Sequence, residues 1–187
     1  MIKPRTIAIV VVSAIFLLAW FLPPNPADPH APSVSGTTGM LLEENDEALR
    51  QKLLARINRN GDINDTATPN PLVTLAEFFE GNNDPGSIGY NLNEQISPAE
   101  FYSMFKTIRR RPDVSDVRVQ VKDHEDLTGW PSTDTVWIIT GAEFGDVASW
   151  IPHRFRPSEY LDGIPTQWPI EDYEIPAGMR AVGVWWD

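Results

Sequence analysis

The sequence predicts an α+β domain, a ferredoxin-like β-α-β-β-α-β two-layer sandwich preceded by an N-terminal transmembrane helix and a linker helix. Three observations carry that prediction. Val117, Val119 and Val121 alternate with Arg118 and Gln120, the period of two that puts the valines on one face of a sheet. Thr135-Val136-Trp137-Ile138-Ile139-Thr140 is almost continuously apolar and β-branched, as in a strand buried on both faces near the middle of a sheet. Ser97-Pro98-Ala99-Glu100 is a capping box with proline at the first helical position, and Phe101, Met104, Phe105 and Ile108 follow at helical spacing.

Residues 1–24 read as a membrane anchor or signal segment. Ile7 to Leu22 is apolar apart from Ser13, with Lys3 and Arg5 before it and Pro23-Pro24 after it. A cleaved signal needs small residues at the cut, but Asn25 and Pro29 stand two before the candidate alanines, Ala27 and Ala31. The anchor is therefore the preferred reading, with Trp20 and Phe21 at the membrane interface. Lys3 and Arg5 would hold the N-terminus inside, placing the rest of the chain at the cell membrane, single-pass and outside the cytoplasm, or secreted if cleavage occurs.

Residues 25–39 form a proline-rich linker. Residues 40–60 suit an amphipathic helix lined by Leu42, Leu49, Leu53 and Ile57, with acids early and cations late, as the helix dipole favours. Asn58 to Asp65 has the composition of a calcium loop without its spacing, so a glycine-containing turn is expected. Residues 72–187 are the expected globular domain. Thr74-Leu75-Ala76-Glu77 is a capping box ahead of Phe78-Phe79. The series then reads strand Ser87–Leu92, helix Pro98–Arg110, strand Val114–Lys122, strand Thr133–Gly141, helix Glu143–Ile151 and strand Met179–Trp186. In the last strand Met179, Ala181, Gly183 and Trp185 share one face, and Val182, Val184 and Trp186 the other. His153–Pro176 is irregular and long for a connection, as functional or core-draping segments are.

Composition excludes several functions. Of 15 Lys and Arg against 26 Asp and Glu, only Lys3 and Arg5 precede Pro24, leaving a formal charge of −13 beyond it. That balance speaks against nucleic acid and anionic lipid surfaces. With no cysteine there is no disulfide, thiolate metal site or cysteine nucleophile. Arg109-Arg110-Arg111 ends a helix, where cations complement the dipole.

Phe78-Phe79-Glu80-Gly81-Asn82-Asn83-Asp84-Pro85-Gly86-Ser87-Ile88-Gly89-Tyr90-Asn91-Leu92, with Arg111-Pro112-Asp113-Val114, Ser132 to Val136 and the closing Met179-Arg180 and Val184-Trp185-Trp186-Asp187, resembles an uncharacterised family of small bacterial proteins. The resemblance covers about Leu72–Asp187 and implies one domain there. It implies no activity, catalytic residue or ligand, and the N-terminal anchor and helix read as additions.

No Gly-x-Ser-x-Gly elbow, phosphate loop, dinucleotide fingerprint or His-Glu-x-x-His motif occurs, and no cofactor is expected. Of His30, His124 and His153, only His124 sits among ligand types, in Asp123-His124-Glu125-Asp126. A solvated acidic turn is the simpler reading of that cluster, and turn formation also explains Asn82-Asn83-Asp84 near Ser87. Trp137 and Trp150 read as core. Trp130, Trp168, Trp185 and Trp186 are the candidate binding residues, since so many indoles crowd a small core and tryptophan concentrates at hot spots. The expected function is an extracytoplasmic protein- or peptide-binding module, in one version an immunity or inhibitor protein. The alternatives are a metal-assisted hydrolase at Asp123, His124 and Glu125, and a structural envelope component.

Overall fold

A computed structural model describes residues 45–187. The expected anchor and proline-rich linker lie outside the described residues, among which no helix is long and apolar enough to cross a membrane. The element order is α1 (Glu47–Ile57), β1 (Leu72–Thr74), α2 (Leu75–Phe79), α3 (Pro98–Arg109), β2 (Val114–Gln120), β3 (Thr135–Thr140), α4 (Phe144–Val147), β4 (Glu159–Asp162) and β5 (Arg180–Trp185).

Five strands form one sheet in the order β1-β2-β3-β5-β4, and every neighbouring pair is antiparallel. The sheet is centred on β3, whose six residues are all buried, as its unbroken apolar run predicts. Helices cover one face. Val117, Val119, Val136, Ile138, Val182 and Val184 meet Leu53, Phe78, Phe101, Phe105 and Trp186 there in the main core. The other face carries Leu72, Trp137, Ile139 and Ala181, covered by Leu161, Ile164, Trp168, Ile170, Tyr173, Ile175 and Met179. The alternation read in β5 holds: Val182 and Val184 join the helical side, Ala181 the other.

The ferredoxin-like series does not form. Ser87–Leu92 is not a strand: Ile88 makes a single parallel bridge to Thr133, and Gly89 turns the chain at φ 63°. The sheet gains β1 instead, only three residues long, and β4 from within the segment read as irregular. The expected helix Glu143–Ile151 shrinks to the single turn of α4 followed by a 3₁₀ turn at Ala148–Trp150. Glu143 makes no side-chain cap, and Pro152 follows the 3₁₀ turn by two residues.

Both capping boxes form: Thr74 and Ser97 accept from the backbones of Glu77 and Glu100, whose side chains accept from the caps. α1 is integral to the main core through Leu53 and Ile57. Its Arg50 is 9% exposed and fastens it to the β2–β3 connection. Arg50 gives Nε and Nη2 to Glu47 at 2.7 and 3.0 Å, and Nη1 to the carbonyls of Leu127 and Gly129 at 3.1 and 3.3 Å.

Pro165 to Ile175 crosses the second sheet face as a strap, held by polar ties at its edges. Glu171 accepts from Arg56 at 2.6 Å and from the backbone of Leu72 at 3.1 Å. Asn70 and the strap exchange backbone hydrogen bonds, with Pro169 accepting and Glu171 donating. Tyr173 donates to Asp116 at 2.9 Å.

Candidate functional site

The four candidate tryptophans do not converge. Trp186 is 1% exposed, edge-on to Phe101 and Phe105, and its indole donates to the Phe155 carbonyl at 3.0 Å. Trp130 is also buried, with an indole N–H that meets no hydrogen-bond partner. Trp168 is half-buried in the strap, 6.4 Å from Trp137. Trp185 is half-buried in β5, opposite Thr135 and Glu159.

The acidic turn is built from local hydrogen bonds. Asp123 accepts from the Ser132 hydroxyl at 2.8 Å, and Asp126 from the amide and hydroxyl of Thr128 at 2.9 and 2.7 Å. The ring of His124 is buried, its Nε2 3.5 Å from Nη1 of Arg50, while Asn64 exchanges two hydrogen bonds with its backbone. Asp123 and His124 thus have separate partners while Glu125 is exposed, and no group of three His, Asp or Glu among the described residues could hold a metal ion.

The loop that carries the sequence resemblance is likewise occupied with itself. Asn82 donates to Phe78 and Ser87, and Ser87 to the Asp84 carbonyl. Asp84 accepts from Gly86 and Trp130, and Asn83 donates to Asn45. Gly81, at φ 77°, brings the loop so close to α1 that a Cβ would stand 2.6 Å from that of Asp46. These residues fasten α1 to the β2–β3 connection.

A groove of about 370 Å³ lies between α3 and the Trp150–Phe155 segment. Met104, Ile108, Trp150, Pro152 and Phe155 supply its apolar lining, Ser103 and Thr107 its hydroxyls. Its position follows from local sequence. The capping box directs Phe101, Phe105 and Ile108 inward, leaving Ser103 and Thr107 on the outer surface. Pro152 ends the preceding 3₁₀ turn, and buried Ile151 and Phe155 hold a second 3₁₀ turn, His153–Phe155, to the core. Trp150, read from the sequence as core, is half-buried on the groove wall.

Two cationic contacts span the groove. Arg154 reaches back to Glu100 on α3 at 2.8 Å and to Glu94 at 3.0 Å. Hydrogen bonds from the Ser97 backbone and hydroxyl, with a smaller contribution from Arg154, hold the Glu100 carboxyl below the usual range. Beyond the other end of α3 the guanidinium of Arg111 lies 3.9 Å over the Trp150 ring while pairing with Asp113 at 3.1 Å. Lys106 on α3 and Arg110 at its C-cap add exposed cations, Lys106 over the Tyr102 ring at 4.0 Å. Sequence reasoning missed this site: the three arginines read as complements of a helix dipole, and nothing local paired Arg111 with Trp150.

No solved structure matches the chain. The Uncharacterized protein YfbO of Escherichia coli (strain K12) is 36% identical over 137 residues, 73% of this chain and 97% of that protein. The family model of the Uncharacterized protein YfbO family matches residues 48–184, beginning inside α1, which the sequence alone suggested was an addition. On both counts the chain belongs to the YfbO family.

Proposed function

We propose that this protein is a membrane-anchored, extracytoplasmic domain that binds a protein or peptide partner through the groove between α3 and Trp150–Phe155. The groove carries this reading: it combines an apolar lining with hydroxyls and flanking guanidinium groups, the mixture that binding clefts use to bury and orient a ligand. Residues 1–24 would be the anchor and 25–39 the tether. The binding surface thus moves from the tryptophans first considered to Trp150 and its surroundings. An immunity role against a basic toxin would rest on the overall charge of −11 and not on this groove, whose flanks hold arginines.

The test is site-specific photo-crosslinking from Ser103 in the full-length chain in native membranes, alongside an enzymatic reporter fused to the C-terminus to locate the domain. A specific adduct is expected at Ser103 and is lost in Thr107→Tyr, which fills the groove from an exposed position. An adduct that persists in Thr107→Tyr would move the interface elsewhere, and a reporter active only in the cytoplasm would remove the extracytoplasmic reading.

A further inference from the structure

We infer that Leu41 and Leu42 fold back on the domain and fill the hollow between α1 and α2, closing it as a latch where the chain enters the fold. The groove beside α3 plays no part in this, so the latch stands whether or not a partner binds there.

The hollow suits side chains of the chain itself. It measures about 290 Å³, and Leu49, Leu53 and Ala76 supply its apolar wall. Small-molecule sites run from roughly 300 to 1,000 Å³, so one or two aliphatic side chains fit this hollow better than a drug-sized ligand.

The course of the chain brings the two leucines to it. Asn45 accepts from the Asn83 amide at 2.9 Å, and the Asp46 amide donates to the Gly81 carbonyl at 2.9 Å, so the chain enters over the Gly81–Asn83 turn. Glu80, next to that turn, lines the hollow, and so does Leu49, three residues past Asp46. Leu42 and Leu41 precede Asn45 by three and four residues, a reach of roughly 10–14 Å. Along α1 the hollow runs one helical turn, from Leu49 to Leu53, or about 6 Å. Both leucines reach it, but only off the helix. Asp46 is the N-cap, extended at φ −72° and ψ 103°, and its side chain accepts from the Leu49 amide. The stripe of Leu49, Leu53 and Ile57 therefore does not continue to Leu42 as the sequence suggested, and Leu42 needs another place to be buried.

Composition and charge agree. From Ala27 to Gly39 the only large apolar side chain is Val34, so little else upstream can fill an apolar hollow. Glu43 and Glu44 follow the leucines, and Lys52 stands exposed on the rim without an ion pair among the described residues. The acids of the rim are occupied: Glu77 closes the α2 capping box, and Glu80 accepts from the Tyr102 hydroxyl at 3.0 Å. A chain folded back through Leu42 carries its own two acids past that lysine.

The chain has no cysteine, so cysteine pairs can be introduced without background. Under mild oxidation Leu42→Cys with Ala76→Cys is expected to form a disulfide within one full-length chain. It should form about tenfold faster than in Leu42→Cys with Gln51→Cys, where the second site lies equally close to the entry point but on the far side of α1. Adding Leu41→Ser to the first pair should remove that advantage. Equal rates for the two pairs overturn the latch, and so does a bond that joins two chains, which assigns the hollow to the segment of a second copy. Hydrogen exchange gives an independent readout. In the full-length double variant Leu41→Ser/Leu42→Ser, amides from Arg50 to Leu54 should exchange about tenfold faster, while those of β3 keep wild-type rates and show that the domain has folded. Unchanged exchange along α1 overturns the latch as well.

Discussion

The hydroxyl of Tyr173, on the strap, donates to the carboxylate of Asp116 in β2 at 2.9 Å. Arg118 pairs with the same carboxylate at 2.7 Å and lies 5.4 Å from the Tyr173 ring centre, so one acidic side chain organises both layers. Burial works to raise the Asp116 carboxyl, but the hydrogen bonds from Tyr173 and Arg118 and the charge of Arg118 outweigh it, leaving it below its ordinary value. Glu171, the other tie, behaves alike: burial opposes, and Arg56 with the Leu72 amide prevails, lowering it.

The sign of the pH dependence follows. Both folded-state values are depressed, so the contribution of these carboxylates is complete above their unfolded values, about 3.9 for Asp and 4.3 for Glu. It is lost as pH falls through the lower folded values. Thermal unfolding of the native protein should therefore lose stability below about pH 4, and Asp116→Asn should differ from wild type at pH 7 but converge with it toward pH 2. A difference that stays constant across that range would show that Asp116 does not act through its charge.

Tyr173→Phe removes one hydrogen bond to a partly exposed carboxylate and keeps the ring. The expected cost is about 1 kcal/mol in urea unfolding. Backbone amides between residues 165 and 175 should exchange faster than those of β3, because β3 is buried along its whole length and the strap is not. Uniform acceleration in both would mean that strap and sheet open together.

The central fold was legible where its determinants are local. β3 declares itself by six apolar or β-branched residues, β5 by alternation, and α2 and α3 by capping boxes within four residues. β1 and β4, of three and four residues, are too short for a period to emerge. The strap's role depends on Arg56 meeting Glu171 and Asp116 meeting Tyr173 across long stretches of sequence, which no window contains. The candidate groove was not legible: the three arginines read as complements of a helix dipole and Trp150 as core, and only the short α4 and 3₁₀ turns leave Trp150 on the wall.

Neighbouring tryptophans at the C-terminus should behave oppositely. Trp186→Ala empties a site 1% exposed and breaks the hydrogen bond to Phe155, at an expected cost of about 3–5 kcal/mol. Trp185→Ala, at a half-buried position, should cost about 1 kcal/mol. Denaturant midpoints with unchanged slopes would check both, and equal costs would contradict the placement of Trp186 in the core.

Arg50→Ala strips α1 of its fork to Glu47 and leaves the Leu127 and Gly129 carbonyls without that donor, so a loss of about 2–3 kcal/mol is expected. Arg50→Lys should recover only part of it, because an ammonium cannot serve the carboxylate on one side and two carbonyls on the other with a planar fork. The two readouts separate anchoring from helix stability. If Arg50 matters mainly as the fastener between α1 and the β2–β3 connection, amides of Leu127 to Trp130 should lose protection along with those of α1. If only α1 loses protection, the carbonyl contacts contribute little and the Glu47 pair within the helix carries the effect.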